Sequence, residues 1–143
     1  MKIVAGFYTS PDGLSHRHMY AVDAGGDSSP AVTATLVDFV CDLHPPADAI
    51  FIDLLSRQCA GSYVPNDPGQ ADFSVNQKYV WVRPPIAAPG RIVISNEYVP
   101  EYSMDDGVPQ SFAMESFFSV LEHWRGFLRL SESDGGQVLE LNV

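Results

Sequence analysis

IVISNEYVPEYSMDDGVPQSFAMESFFSVLEHW, residues 92–124, is the stretch around which the chain is organised. Its first residues are β-branched and predict a strand. Residues 96–110 (NEYVPEYSMDDGVPQ) are rich in turn-forming residues, acidic residues and tyrosine, and predict a loop. Residues 111–124 (SFAMESFFSVLEHW) repeat apolar side chains at helical spacing. The whole stretch has no lysine or arginine, so it predicts an anionic, tyrosine-bearing loop that leads into an aromatic-rich helix.

The predicted helix begins at Pro109, Gln110 and Ser111 and ends at Gly126. Its apolar residues recur every three or four positions, which indicates at least one buried face. Trp124 and the pair at 117 and 118 are expected in the core. Downstream, residues 127–130 and 138–141 flank the sequence ESDGG, which is a hairpin signal. The apolar positions of the helix are Met114, Phe117, Phe118, Leu121 and Trp124.

Upstream of this stretch, QKYVWVR (residues 77–83) is the clearest strand signal in the chain. Tyr79, Trp81 and Arg83 alternate with Lys78, Val80 and Val82, so the two sets face opposite sides of a sheet. RIVIS (residues 91–95) is predicted to form a hairpin with it. Residues 2–8 and 16–23 predict two further antiparallel strands, joined by a Pro-Asp-Gly turn.

A helix is predicted from about residue 29 to residue 44, because Ser29 and Pro30 form a favourable start and Pro45-Pro46 a stop. Asp38 and Asp42 share its polar face and are expected to be solvated. Residues 49–55 (AIFIDLL) fit either a buried strand or a short helix, since their periodicity does not decide. A helix is slightly favoured, and in that case Asp53 and Arg57 can pair across one turn.

The predicted order of elements is β-β-α-(α)-β-β-α-β-β. This order predicts an α+β fold with a mainly antiparallel sheet and two or three helices packed on it. The 143 residues are the usual size of one domain, so residues 1–143 are expected to form a single α+β domain.

The formal net charge of −10 restricts the kinds of partner that the protein can bind. Binding of nucleic acid needs clustered lysine and arginine, and anionic membrane surfaces attract basic segments, so neither is expected. A basic protein partner and a salt-sensitive encounter are favoured instead. No signal peptide or transmembrane run is recognisable in the sequence, so the protein is expected to be cytoplasmic.

No motif in the sequence names a reaction, and no catalytic residue, metal site or cofactor is predicted. The sharpest metal candidate is the pair His16 and His18, which share one face of a predicted strand and could meet one ion. Asp23, His44 or His123 could complete its ligand shell. His123 lies near a helix end, where the helix dipole favours a cationic imidazole. Cys41 lies near the apolar side of the first helix, where a thiolate is disfavoured.

The anionic loop is the best candidate for a binding surface. Tyrosine offers a large contact area at low entropic cost, and neighbouring carboxylates can pair with lysine and arginine of a partner. A second stretch, residues 18–56, also lacks lysine and arginine while it carries six aspartates, so the two could merge into one negative face. The predicted contact residues are Glu97, Tyr98, Glu101, Tyr102, Asp105 and Asp106.

This profile resembles bacterial immunity proteins, which neutralise a cognate toxin delivered between competing cells. The resemblance rests on one small acidic domain, the segment NEYVPEYSMDD and the closing run MESFFSVLEHWRGFLRL. It implies a tight complex with a basic toxin domain, often a nuclease, and no catalytic residue of its own. Two other functions stay open: an acidic secretion chaperone, which would dimerise and hold a client through apolar grooves, and a small metal-dependent enzyme that uses His16 and His18.

Overall fold

A computed structural model of the chain describes residues 1–64, 66–67, 69–83, 90–96 and 109–141. The protein has an α+β fold, as predicted, and its strands form two antiparallel sheets. The strands are β1 (Lys2–Thr9), β2 (Ser15–Val22), β3 (Phe73–Val75), β4 (Lys78–Arg83), β5 (Arg91–Ser95), β6 (Gln110–Ala113) and β7 (Gln137–Glu140). The helices are α1 (Pro30–Val32), a π-helical segment (Thr33–Val37), α2 (Asp38–Asp42), α3 (Ala47–Cys59), α4 (Met114–Leu128) and a short 3-10 helix (Glu132–Asp134).

The first sheet has the strand order β2-β1-β7. The predicted β1–β2 hairpin is confirmed, with Thr9 opposite Ser15 and Lys2 opposite Val22. The predicted C-terminal hairpin is wrong, because β7 pairs with β1 at the other end of the chain and residues 127–128 belong to α4. Phe127 is 1% exposed and continues the buried face of that helix, so burial favours helix over strand at this point.

The second sheet has the order β3-β4-β5-β6. The predicted β4–β5 hairpin is confirmed, with Trp81 opposite Val93. Residues 110–113, predicted as the start of the last helix, form β6 instead, because pairing with β5 buries Phe112 against the core. The helix therefore begins at Met114 and ends at Leu128 rather than at Gly126. β3 pairs antiparallel with β4, with Phe73 opposite Val80.

The first predicted helix is present as α1, the π-helical segment and α2, which follow one another without a break. Thr33 fixes it to the first sheet, because its hydroxyl accepts the N–H of Ala21 (3.0 Å) and donates to the carbonyl of Ser29 (2.9 Å). Residues 49–55, for which the sequence allowed either a buried strand or a short helix, are helical, since they lie within α3. Asp53 and Arg57 pair at 3.0 Å on its exposed side, as expected for that alternative.

One cluster of buried apolar side chains includes residues from both sheets and from the helices. At its centre Phe51 of α3 contacts three other phenylalanine rings. The expectation that Phe117 and Trp124 are core residues is confirmed, whereas Phe118 is 36% exposed. Adjacent residues of a helix point about 100° apart, so both members of the pair cannot face the core. None of the helices in the described ranges is both long enough and apolar enough to cross a membrane.

Candidate functional site

The six predicted contact residues, Glu97, Tyr98, Glu101, Tyr102, Asp105 and Asp106, lie outside the described residues. The strands on either side of this acidic stretch are described. Ile94 of β5 is paired with Gln110 of β6, and both strands are part of the four-stranded sheet. The acidic stretch therefore connects two neighbouring strands that are anchored in the core.

Most of the cationic side chains are already paired with carboxylates of the protein itself. Five of the eight lysine and arginine residues form ion pairs within the described ranges. Arg17 and Arg91 also donate to backbone carbonyls, of Leu130 and Ser111 respectively. Because so many cations are engaged, the excess negative charge belongs to the remaining carboxylates.

The second acidic region, residues 18–56, is partly neutralised by ion pairs, and its predicted merger with the acidic stretch involves residues outside the described ranges. Three of its aspartates are paired with cations from other parts of the fold: Asp42 with Lys78 (3.8 Å), Asp48 with Arg125 (3.1 Å) and Asp53 with Arg57 (3.0 Å). Cations that are distant in sequence, on β4 and α4, supply two of these pairs. A stretch without lysine or arginine is thus not necessarily an unpaired acidic surface.

The remaining carboxylates of the described part are spread over several turns and helices, and some are used locally. Asp12 accepts hydrogen bonds from the Ser10 hydroxyl and the Leu14 N–H, which lower the pKa of its carboxyl group. Bonds from the backbone and hydroxyl of Ser131 likewise lower the pKa of Asp134. The described carboxylates that have no cation within 4.0 Å in those same ranges are Asp12, Asp23, Asp27, Asp38, Asp67, Glu115, Glu122, Glu132 and Asp134.

His16 and His18 lie on the outer face of the first sheet, within a row of aromatic rings. Tyr8 stacks on His16 at a centroid distance of 5.1 Å, and His18 stacks on Tyr20 at 5.5 Å with an interplanar angle of 4°. The Nε2 atom of His16 lies 3.0 Å from the Ser10 hydroxyl. No group of three histidine, cysteine or acidic side chains able to hold a metal ion occurs within the described ranges. The arrangement therefore supports ring packing rather than a metal centre.

Asp38 and Asp42, expected to be fully solvated, are instead half-buried beside Cys41 and Lys78. Burial raises the pKa of Asp38, while the nearby ammonium of Lys78 opposes that shift. Burial also raises the pKa of the Cys41 thiol to about 12, and the two carboxylates add to the effect. The expectation of an unreactive thiol at this position is supported by that environment.

We expect Cys41 to react with iodoacetamide at pH 8 at least about a hundredfold more slowly in the folded protein than in urea, because only the thiolate is nucleophilic. A Cys59→Ser variant leaves Cys41 as the reporting thiol, and mass spectrometry follows the rate. The same variant unfolded in urea is the control. Equal rates in the two states would show that the thiol is not held in this environment.

His123 does not behave as predicted from its position near a helix end. Burial lowers the pKa of its imidazole, and a hydrogen bond with the backbone of Gln137 opposes that shift only in part. Its Nε2 atom is buried and has no hydrogen-bond partner in the described part of the chain. Burial of the ring therefore favours the neutral form, in the direction opposite to the effect expected of the helix dipole.

No sequence pattern singles out Asp72, whose side chain is fully buried. One carboxylate oxygen accepts the Tyr63 hydroxyl (2.8 Å) and the N–H of Asn66 (2.6 Å). The other accepts the N–H of Val82 (2.7 Å) and lies 3.6 Å from the Arg83 guanidinium. A buried carboxylate needs such partners, so this aspartate is a structural centre that joins Tyr63 and Asn66 to β4. The polar composition of the surrounding sequence gives no sign of its burial.

The geometry thus identifies an acidic connection between two core strands, an aromatic outer face on the first sheet and a satisfied buried carboxylate. Comparison with known proteins adds no relative to this description: the chain matches no protein-family model, no curated protein and no solved structure.

Proposed function

We propose that the protein is an inhibitor of the immunity-protein type, which binds a basic protein toxin in the cytoplasm through the acidic stretch at residues 97–106. The observation that carries this proposal is the placement of that stretch between β5 and β6. It carries four carboxylates and two tyrosines and no cation of its own. A binding loop supported by a rigid sheet is a common arrangement for recognition, because the scaffold limits the entropy lost on binding.

The distribution of charge in the rest of the fold supports the same proposal. Five cations are engaged in internal ion pairs, and the second acidic region, residues 18–56, is partly neutralised because three of its six aspartates belong to such pairs. In the sequence, residues 97–106 are the densest run of negative charge, with four carboxylates in ten residues. A basic partner would be steered towards it, and the rate of association would fall as salt screens the charges.

The first experiment is a pull-down from a lysate of the source organism with the tagged protein, eluted with increasing salt and identified by mass spectrometry. One stoichiometric basic protein, released by salt, is the expected result. An exported client that resists salt would instead support the secretion chaperone, since apolar contacts are insensitive to screening. The absence of any retained partner would count against both kinds of binding protein.

Charge reversal of the acidic stretch provides a quantitative prediction. The double variant Asp105→Lys/Asp106→Lys is expected to slow association with the captured partner by about tenfold at low salt and to flatten its salt dependence. Stopped-flow or surface-based kinetics measures the effect.

The double variant Asp67→Lys/Glu122→Lys is the matched control for this experiment. Both residues are exposed, and the change in net charge is the same. If the two double variants slow association equally, net charge alone is responsible and the acidic stretch is not the binding surface.

A further inference from the structure

Backbone groups on the outer side of the edge strand β2 have no hydrogen-bond partner among the described residues. Ser15 and Arg17 are exposed on this strand, whereas Met19 is 5% exposed. The direction of these groups follows from Ala21, whose N–H donates to the Thr33 hydroxyl and whose carbonyl accepts the N–H of Ser29 (2.8 Å). Both groups of Ala21 thus point away from β1. Because backbone groups alternate in direction along a strand, those of Ser15, Arg17 and Met19 point the same way. In the described ranges they have no hydrogen-bond partner.

The other sheet edges are shorter or protected. β3 has three residues, and β7 has four. On β6, the guanidinium of Arg91 covers the outer side by donating to the hydroxyl (2.7 Å) and the carbonyl (3.0 Å) of Ser111. β2 has eight residues and contains neither proline nor a bulge in its pairing with β1. Ser29 and Thr33 cover the outer side of β2 at Ala21, and the part from Ser15 to Met19 has no partner in the described ranges. Unpaired strand edges are the usual sites at which a sheet accepts another strand.

The positive charge of Arg17 determines which side chain an added strand should place opposite this position. Its guanidinium lies 5.2 Å from the centre of the Phe7 ring, and one of its N–H groups donates to the carbonyl of Leu130 at 2.8 Å. These contacts hold the charge beside the free edge, while the side chain as a whole stays exposed. An incoming strand is therefore best matched if it places a carboxylate opposite Arg17.

A second copy of the chain is a poor occupant of this edge. Antiparallel pairing of two β2 strands that uses all three free positions places Ser15 opposite Met19 of the other copy, and Arg17 opposite Arg17. Like charges directly opposite one another destabilise a strand pair. The charge on the edge thus acts against self-association and leaves pairing with a different sequence favourable.

We infer that the free edge of β2, at Ser15, Arg17 and Met19, is a docking site for an extended strand of a protein partner that carries an acidic residue opposite Arg17. Main-chain hydrogen bonds supply the binding, and the carboxylate sets the register. This docking site does not involve residues 97–106. A negative result for the docking site would therefore leave the proposed inhibitory function unaffected, and the reverse also holds.

The test uses a nine-residue acetylated peptide of alternating threonine and valine with glutamate at its centre. The comparison peptide has lysine at that position. Amide NMR signals of the isotope-labelled protein are recorded at millimolar peptide. The glutamate peptide is expected to shift the amides of Arg17 and Met19 and slow their hydrogen exchange, while amides of His16, His18 and Tyr20, which face β1, change less. The lysine peptide is expected to bind about fivefold more weakly.

Two substitutions separate the backbone contribution from the charge. Arg17→Pro removes the central N–H at a position where an edge strand tolerates proline, and should weaken both peptides by at least about fivefold. Arg17→Gln keeps the N–H, so it should bind both peptides with nearly equal affinity. Circular dichroism establishes whether each variant is folded. If Arg17→Pro does not fold, the inference is tested by the amide shifts of the unmodified protein and by the affinities of Arg17→Gln for the two peptides.

Three results would overturn the inference. The first is the absence of any shift at Ser15, Arg17 and Met19 at millimolar glutamate peptide, and the second is undiminished binding by folded Arg17→Pro. The third is a dimer of the peptide-free protein in sedimentation that Arg17→Pro dissolves, because the edge would then be occupied by a second copy of the chain.

Discussion

Replacement of Asp72 by asparagine is expected to lower the free energy of unfolding by about 3 kcal/mol. The carboxylate is fully buried and accepts three hydrogen bonds, two of them from backbone N–H groups. An asparagine amide has one acceptor oxygen, so its NH2 group must face a donor in either orientation. The substitution also removes the buried negative charge that lies 3.6 Å from the Arg83 guanidinium. Urea unfolding followed by circular dichroism measures the loss.

Asp53→Asn is the matched control for this substitution. Asp53 also pairs with an arginine, at 3.0 Å, but both side chains are more than half exposed. Its loss should cost about 0.5 kcal/mol or less, because water screens an exposed pair. If both variants are destabilised equally, the buried network at Asp72 does not have the role that its geometry indicates.

Tyr63 reports on the same network by its titration. Burial raises the pKa of its hydroxyl to about 12, and the bond to Asp72 and the charge of that carboxylate add to the effect. Since the unfolded chain releases this proton near pH 10.0, the contribution to stability is present below that pH and is lost between about pH 10 and pH 12. In Asp72→Asn, alkaline absorbance titration should show this hydroxyl ionising at lower pH, because only burial still opposes ionisation.

Local sequence patterns were sufficient to predict the β1–β2 and β4–β5 hairpins and the buried face of α4. In the two hairpins the paired strands are close in sequence. In α4 the apolar residues repeat at helical spacing over several turns, so the buried face can be recognised from the sequence. The pairing of Ile3 with Leu139 has no local signal, because the two residues are at opposite ends of the chain. The residues of β6 resemble a helix start, and only the neighbouring strand β5 makes extended backbone favourable there.

The candidate sites were predictable to a lesser extent, for a related reason. Charge composition identifies an acidic stretch, but the ion pairs that reduce an acidic surface come from residues far away, as Arg125 does for Asp48. The burial of Asp72 and the free groups of β2 also depend on tertiary contacts. Whether the N–H of Arg17 points to β1 or to solvent is decided by the contacts of Ala21 with residues 29–33, which no pattern in β2 reveals.

The aromatic cluster around Phe51 is expected to be the most sensitive part of the core. Phe51 is completely buried, and its ring lies 5.0 Å from Phe39, 4.8 Å from Phe73 and 5.3 Å from Phe117. These rings belong to α2, β3 and α4, so one side chain of α3 joins three other elements. Phe51→Ala should lower the free energy of unfolding by about 3–5 kcal/mol, because the loss of apolar burial is added to the cost of a cavity.

Ile50→Ala is the matched control, since Ile50 is the preceding residue of the same helix and is 58% exposed. Both substitutions introduce alanine into α3, so the difference between them isolates burial from helix propensity. We expect Ile50→Ala to change the free energy of unfolding by less than about 0.5 kcal/mol. Because small domains are stable by only about 5–15 kcal/mol, Phe51→Ala alone could leave a marginal fold. A loss below about 1.5 kcal/mol would mean that the four rings do not form the joint core, since even a partly collapsed cavity costs more than that.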